Sequence, residues 1–219
     1  MKERPILFSS PMVRAILEGR KTMTRRVVKL RHGADVVVTN GQVWKPARVD
    51  YAAYVDCPFG KVGDRLWVRE AWRTVAEAND LAPRNLSAAH RFWYEADAPH
   101  QLGYGKLRPS IHMPRIASRI LLEITGVRVE RLQDISEADA QAEGVERVVA
   151  GVGWRRYCDP DSEEVGVPPC GDARRSFRSL WKFINGDESW NANPWVWVVE
   201  FRRRHARSGT DSKTSEAVG

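Results

Sequence analysis

One lysine stands among three arginines in Gly19-Arg20-Lys21-Thr22-Met23-Thr24-Arg25-Arg26. Like charges at adjacent positions disfavour a protonated ammonium, and partial burial lowers its pKa further, so Lys21 is a candidate base near neutral pH. A hydroxyl is a poor nucleophile alone and a competent one beside a base. Thr24 lies three residues beyond Lys21, close enough to meet it on one helical turn. The same string also reads as a helix terminus followed by a basic loop that only grips phosphate, and residue types alone leave both readings open.

The charge balance places this string in context. The formal net charge is +7. Residues 1–31 hold nine basic side chains against Glu3 and Glu18, so they carry that entire excess and the rest of the chain sums to zero. A local excess points to an anionic partner met at one place.

Two further sets of residues could carry chemistry. Nine tryptophans are present, an enrichment in side chains that stack nucleobases. Trp72, beside the strand end Arg69-Glu70, is the stacking candidate, and Glu70 is placed to face a pocket from the same strand end. Trp181, Trp195 and Trp197 read as core. Cys57, Cys158, Cys170 and His112 supply ligand types for a structural zinc ion. They lack a C-x-x-C pair, so independent reduced cysteines are expected and no metal is assigned. Three cysteines do not make a secreted disulfide framework.

Positioning these groups takes a chain that alternates strand signals with few helix signals. Pro5–Phe8 reads as a first strand. Ser10-Pro11 opens a short helix with Met12, Val13, Ile16 and Leu17 on one face and Gly19 as its left-handed stop. Val36–Thr39 and Gln42–Trp44 flank Asn40-Gly41 as a hairpin. Gly60–Asp64 turns into a strand over Arg65–Arg69, residues 76–89 read as loop, and Arg91–Glu95 as a further strand. Ser118–Leu132 is the longest strand candidate; its alternation slips phase at Gly126, where a bulge would bend it. Ser136-Glu137-Ala138-Asp139 starts a helix that ends at Gly144. Phe177, Leu180, Trp181 and Ile184 form the apolar stripe of another helix, stopped by Asn185-Gly186. In the last strand, Pro194–Arg202, Trp195, Trp197, Val199 and Phe201 face one way, with Val196, Val198, Glu200 and Arg202 opposite.

Gly19, Lys21 and Arg26 match the G-x-K-x-x-E/T-x-R signature of the ASCH family, and Thr24 gives the threonine form of that signature. Gly63-Asp64 with Leu66 resembles the family's G-D-x-L element. Ile135-Ser136-Glu137, Ala140 and Glu143 follow in order, and Val198–Arg202 resembles its closing strand. The chain thus resembles ASCH proteins, closest to the N(4)-acetylcytidine amidohydrolase type and to longer prophage-encoded members. The resemblance implies an α+β fold, a PUA-like small mixed β-barrel with flanking short helices and inserted loops. It implies Lys21 as general base, Thr24 as nucleophile and Glu143 as the third catalytic member. Attack on an acylated exocyclic amine builds an oxyanion, for which Arg20 and Arg26 are the candidate stabilisers. Arg20, Arg26, Glu70 and Trp72 are therefore the substrate-binding candidates.

The expected organisation is a single domain over residues 1–202, with insertions near 32–56, 71–117 and 146–172. A basic, then polar, disordered tail follows over 203–219. No apolar run spans a bilayer, and Met1–Pro5 lead into too short an apolar stretch for a signal peptide, so the expected location is cytoplasmic. The leading expectation is an amidohydrolase acting, without cofactor, on an N(4)-acetylcytidine-like nucleoside or base. The alternatives are an RNA-binding PUA-like module and an ASCH-type ribonuclease. Both meet nucleic acid through residues 1–31 and the arginines between Arg202 and Arg207.

Overall fold

The computed structural model describes residues 1–29, 37–39, 41–45, 53–97, 104–148, 152–157 and 168–204. The fold is α+β, with a core made mostly of sheet and few helices. Five strands form the main sheet: β1 (Glu3–Leu7), β2 (Met23–Val27), β6 (Arg65–Arg69), β9 (Leu121–Arg131) and β10 (Trp195–Arg204), in the order β1-β6-β9-β10-β2. β1 pairs with β6 in parallel and every other pair is antiparallel. β1 and β2 are left at the edges, and no closed barrel forms among the described residues.

Two satellite sheets hold the remaining strands; β3, β4 and β8 fall on expected strand segments, whereas β5 and β7 have no strand signal in the sequence. β3 (Val37–Thr39), β4 (Gln42–Lys45) and β5 (Ala53–Tyr54) form one. Thr39 pairs with Gln42 across the expected hairpin, whose Asn40 lies outside the described residues. β7 (Trp72–Thr74) and β8 (Phe92–Tyr94) form the other. Between β7 and β8 the expected loop holds two single turns of 3-10 helix, Ala76–Ala78 and Pro83–Asn85.

β10 carries the core because both of its faces are buried. Trp197, Val199 and Phe201 join Ile6, Phe8 and Ile124 in one apolar cluster. Val196 and Val198, on the opposite face, join Met23, Leu132 and Trp181 in a second. The strand also continues past the boundary expected for the tail. Arg203 and Arg204 belong to β10, where Arg202 and Arg204 pair with Glu123 and Arg203 donates to the Leu17 carbonyl. Residues 205–219 lie outside the described set.

The expected bulge is present. Glu200 pairs with Gly126 but Phe201 with Ile124, so Thr125 is the extra residue. A Cβ on Gly126 would come within 2.6 Å of the Glu200 carboxylate, which Arg128 holds by an ion pair.

Three helices brace the sheet: α1 (Ser10–Leu17), α2 (Glu137–Ala142) and α3 (Ala173–Asn185). α1 is preceded by Ser9, which makes no side-chain cap, so its start rests on Pro11 in the first turn rather than on a serine hydroxyl. In α2 the Ser136 hydroxyl accepts from the Asp139 amide, the cap read from the sequence. The Glu137 carboxylate accepts from the Ala173 and Arg174 amides, which fixes the start of α3 beside α2.

Asp64 locks the β1–β6 edge. Its carboxylate accepts from the Lys2 amide at 2.7 Å and from Arg4 at 3.0 Å. These bonds, the Lys2 amide first, hold its pKa down at about 2 against burial. A carboxyl depressed on folding adds stability above its unfolded value of 3.8 and loses it as pH falls through the folded value. Unfolding measured from pH 5 to pH 2 should therefore show an acid-dependent loss in the wild type that is smaller in Asp64→Asn. Equal slopes would remove Asp64 from this role.

Candidate active site

The loop that carries Lys21 is pinned on three sides by backbone bonds. The Lys21 amide donates to Ala15 of α1, the Thr22 amide donates to Ala142 of α2, and the Phe201 amide of β10 donates to the Thr22 carbonyl. The lysine side chain is thereby driven inward until none of it is exposed. Its ammonium donates to Glu143 twice, to Oε2 at 2.7 Å and to the backbone carbonyl at 2.8 Å. Gly144 permits this approach. Its φ is +89°, and a Cβ there would sit 2.9 Å from the Lys21 Cβ and 3.0 Å from the Ala15 Cβ.

Glu143, itself 4% exposed, divides its carboxylate between two cations. Oε2 takes Lys21, and Oε1 takes Arg25 Nη1 at 3.3 Å. Arg25 is equally buried and also binds Glu130 Oε1 at 2.5 Å and Asp139 Oδ2 at 2.7 Å. Arg128 closes the network from outside through Glu130, Asp139 and Glu200. Burial pulls the Lys21 pKa below the ordinary lysine range. Glu143 works against that shift, while Arg26 and Arg25 add to it. The sequence reading expects the same direction; burial, not the neighbouring arginines, is its main cause.

Thr24 is part of β2, opposite Val199 of β10, so it does not share a helical turn with Lys21. Strand geometry sends alternate residues to opposite faces: Met23 and Val27 pack on the second cluster, while Arg26 stacks over Phe8 of the first. Thr24 is 3% exposed, and its hydroxyl makes no hydrogen bond among the described residues. It lines an open cleft of about 490 Å³ together with Glu143, Arg25, Arg26, Trp181 and Leu180. Lys21 is not in the lining; it lies behind Glu143. Two buried donors of lining residues, Arg26 Nε and Trp181 Nε1, have no partner among the described residues. Orphaned donors are costly unless a ligand or water meets them. The cleft volume is in the range of small-molecule sites.

The other sequence candidates fall elsewhere. Arg26 lines the cleft and donates to the Leu7 carbonyl at 2.7 Å. Arg20 is outside the lining, held by Glu18 at 2.7 Å and by the Gly144 carbonyl at 2.9 Å. Glu70 is buried under a two-pronged bond from Arg119, and burial raises its pKa against that arginine. Trp72 is 0% exposed in a third apolar cluster with Met113 and Leu86, and Arg108 covers its ring. A ring so enclosed has no free face for a nucleobase, so Trp72 is a core residue. Cys57 packs in the first cluster, and burial raises its thiol pKa. Cys170 bridges to Trp154, His112 is exposed, and Cys158 lies outside the described residues. No group of metal-ligating side chains gathers among the described residues.

A larger cavity of about 630 Å³ opens beside Arg4, Cys57, Asp64, Arg128 and Trp197. Its arginines are already committed to Asp64, Glu130 and Glu200, and its thiol, Cys57, is disfavoured as thiolate. Among the described residues no hydroxyl lines it beside the amines of Lys2 and Lys61. The smaller cleft carries the better chemistry. Among the described residues no helix is long and apolar enough to cross a membrane. No family model, no curated protein and no solved structure matches this chain.

Proposed function

We propose that the chain is an amidohydrolase that removes an acyl group from the exocyclic amine of a modified cytosine nucleoside or base. The observation that carries this reading is the shared cleft: the unengaged Thr24 hydroxyl and the Glu143 carboxyl line one cavity, and Glu143 is locked to Lys21. The Thr24 hydroxyl attacks the acyl carbon while the Lys21–Glu143 pair takes its proton. The C–N bond breaks as that proton passes to the leaving amine. Water then hydrolyses the threonine ester and releases the carboxylate. Arg26, at the cleft wall, supplies positive charge for the oxyanion. In this reading the sheet is an open variant of the PUA-like barrel, with Arg26 of β2 linking the two edge strands through the Leu7 carbonyl of β1.

An RNA reader would need its basic cluster outside. Here Lys2, Arg14 and Lys29 are exposed, but Lys21 and Arg25, at the centre of the cluster, are buried on carboxylates, and the surface arginines Arg202 and Arg204 are paired with Glu123. These pairings favour the enzyme over the RNA-binding and ribonuclease alternatives.

Purified protein should convert N(4)-acetylcytidine to cytidine, followed by absorbance. Thr24→Val, which keeps the side-chain shape, should lower kcat by at least about 100-fold. An undiminished rate in Thr24→Val would remove the threonine from the chemistry. Salt-sensitive RNA binding without any deacylation would replace this reading with the RNA-binding one.

A further inference from the structure

The cleft does not stop at Glu143. A second lobe of about 380 Å³ shares Ser9, Met12, Glu143, Leu180 and Ile184 with the first and adds Phe183 and Tyr157. Thr24, Arg26 and Lys29 line only the first lobe. The first lobe thus sets the Thr24 hydroxyl and a cationic rim among apolar walls from Phe59, Phe177 and Trp181, while the second lobe, on the other side of Glu143, exposes largely apolar surface. The apolar side reaches the surface through Phe183 and Ile184, which are 57% and 52% exposed although both sit on the last turn of α3. Ile184 belongs to the stripe that periodicity assigns to the core; α3 runs past the second cluster, and its end overhangs the trough instead. Exposed large apolar side chains that border a groove mark a place where apolar ligand surface is expected.

The charged groups of this lobe are engaged. Arg155 pairs with Glu146 at 2.9 Å, and Arg156 donates to the Pro168 carbonyl. The Tyr157 hydroxyl accepts from the Glu146 amide, and burial pushes its pKa up to about 12, so the phenol stays neutral in the physiological range.

We propose that this second lobe is an acyl subsite, and that the preferred substrates carry an apolar acyl group larger than acetyl on the exocyclic amine. The inference rests on the amidohydrolase reading. With the scissile carbonyl between Thr24 and Glu143, the cytosine and its ribose occupy the first lobe, beside Arg26 and Lys29, and the acyl chain extends past Glu143 along Met12, Leu180, Phe183 and Ile184. An acetyl group has no atoms to place there; a hexanoyl or benzoyl group does.

The test compares N(4)-acetyl-, N(4)-hexanoyl- and N(4)-benzoylcytidine on the wild type and on Phe183→Ser, a substitution at an exposed position. In the wild type kcat/KM should rise roughly two- to fourfold per added methylene that the lobe covers. In Phe183→Ser the hexanoyl-to-acetyl ratio should fall by about tenfold. Ile116→Ser, an exposed apolar position outside the trough, should leave that ratio as it is. A wild-type ratio of one or less overturns the subsite while leaving the amidohydrolase intact. If no acyl cytidine is turned over, the amidohydrolase reading fails, and equilibrium binding followed by tryptophan fluorescence decides the subsite separately. Tighter binding of N(4)-hexanoylcytidine than of cytidine, lost in Phe183→Ser, supports it; equal binding overturns it.

Discussion

Arg25→Met should be the most destabilising single substitution in the site, costing about 3 kcal/mol in chemical denaturation. The side chain has no exposed surface and serves three carboxylates, from Glu130 on β9, Asp139 on α2 and Glu143 at the end of α2. Removing it strips a cation from all three at once. Glu143 keeps Lys21, and Glu130 and Asp139 keep Arg128, so the network does not collapse completely. Glu130 Oε1 and Glu143 Oε1 nevertheless lose the bonds Arg25 gave them, and uncompensated buried charge is expensive. For a chain of this length about 3 kcal/mol corresponds to a fall in Tm of roughly 6–12 °C. Arg128→Met is the contrast. Its side chain is 37% exposed, solvent screens what it leaves behind, and about 1 kcal/mol is expected. Arg25→Lys should recover little, because a single ammonium cannot reproduce a planar fork set between separate carboxylates. Equal costs for Arg25→Met and Arg128→Met would show that the buried network is not what holds α2 to the sheet.

Arg25 also shows where sequence reading stops. The local elements were legible because each has a local cause: Ser136 capping α2, Gly126 opening a bulge, the alternation of β10. The same local signals present residues 20–26 as one basic stretch. Once Met23–Val27 is known to be a strand, period two separates it: Met23, Arg25 and Val27 point one way, Thr24 and Arg26 the other. The clue was present in Met23 and Val27, two apolar residues at strand spacing around Arg25. The partners Glu130 and Asp139 were beyond reach, because they lie 105 and 114 residues away and only tertiary packing brings them in.

The aromatic residues divide for a similar reason. Trp72 and Trp181 are both buried, yet Trp72 is sealed in the third cluster while Trp181 borders the cleft. Spacing says that a tryptophan sits on an element, not which element lies across from it. Sheet closure is also a long-range matter: β1 and β2 are short strands close in sequence, and what links them is one arginine reaching the Leu7 carbonyl, a contact with no local signature.

The excess charge of residues 1–31 is therefore divided. Arg4 is held by Asp64 and Arg20 by Glu18, away from the cleft. Lys21 and Arg25 are buried against carboxylates, Arg25 at the cleft wall, and Arg26 and Lys29 border the cleft as well. A steep salt dependence of ligand binding in the cleft would arise from Arg26 and Lys29 rather than from the buried pairs.

Lys21→Met should abolish deacylation while leaving KM nearly unchanged. Lys21 is absent from the cleft wall, so its loss removes little ground-state binding. Loss of a general base costs about 10²- to 10⁴-fold in kcat. Methionine fills the space of the aliphatic stem, and Glu143 keeps its contact with Arg25, so the fold should survive. The pH profile gives the sharper test. The charged groups set against Lys21 are Glu143 at the end of α2 and Arg25 and Arg26 on β2, and burial outweighs Glu143 to hold its pKa below the ordinary 10.5. Only the neutral amine accepts a proton. The rate should therefore rise with pH through that lowered value and level off before an ordinary lysine would deprotonate. Arg26→Gln removes a neighbouring positive charge, which makes the ammonium easier to hold, so the rising limb should move to higher pH. A limb that persists unmoved in Lys21→Met would assign the base to another group.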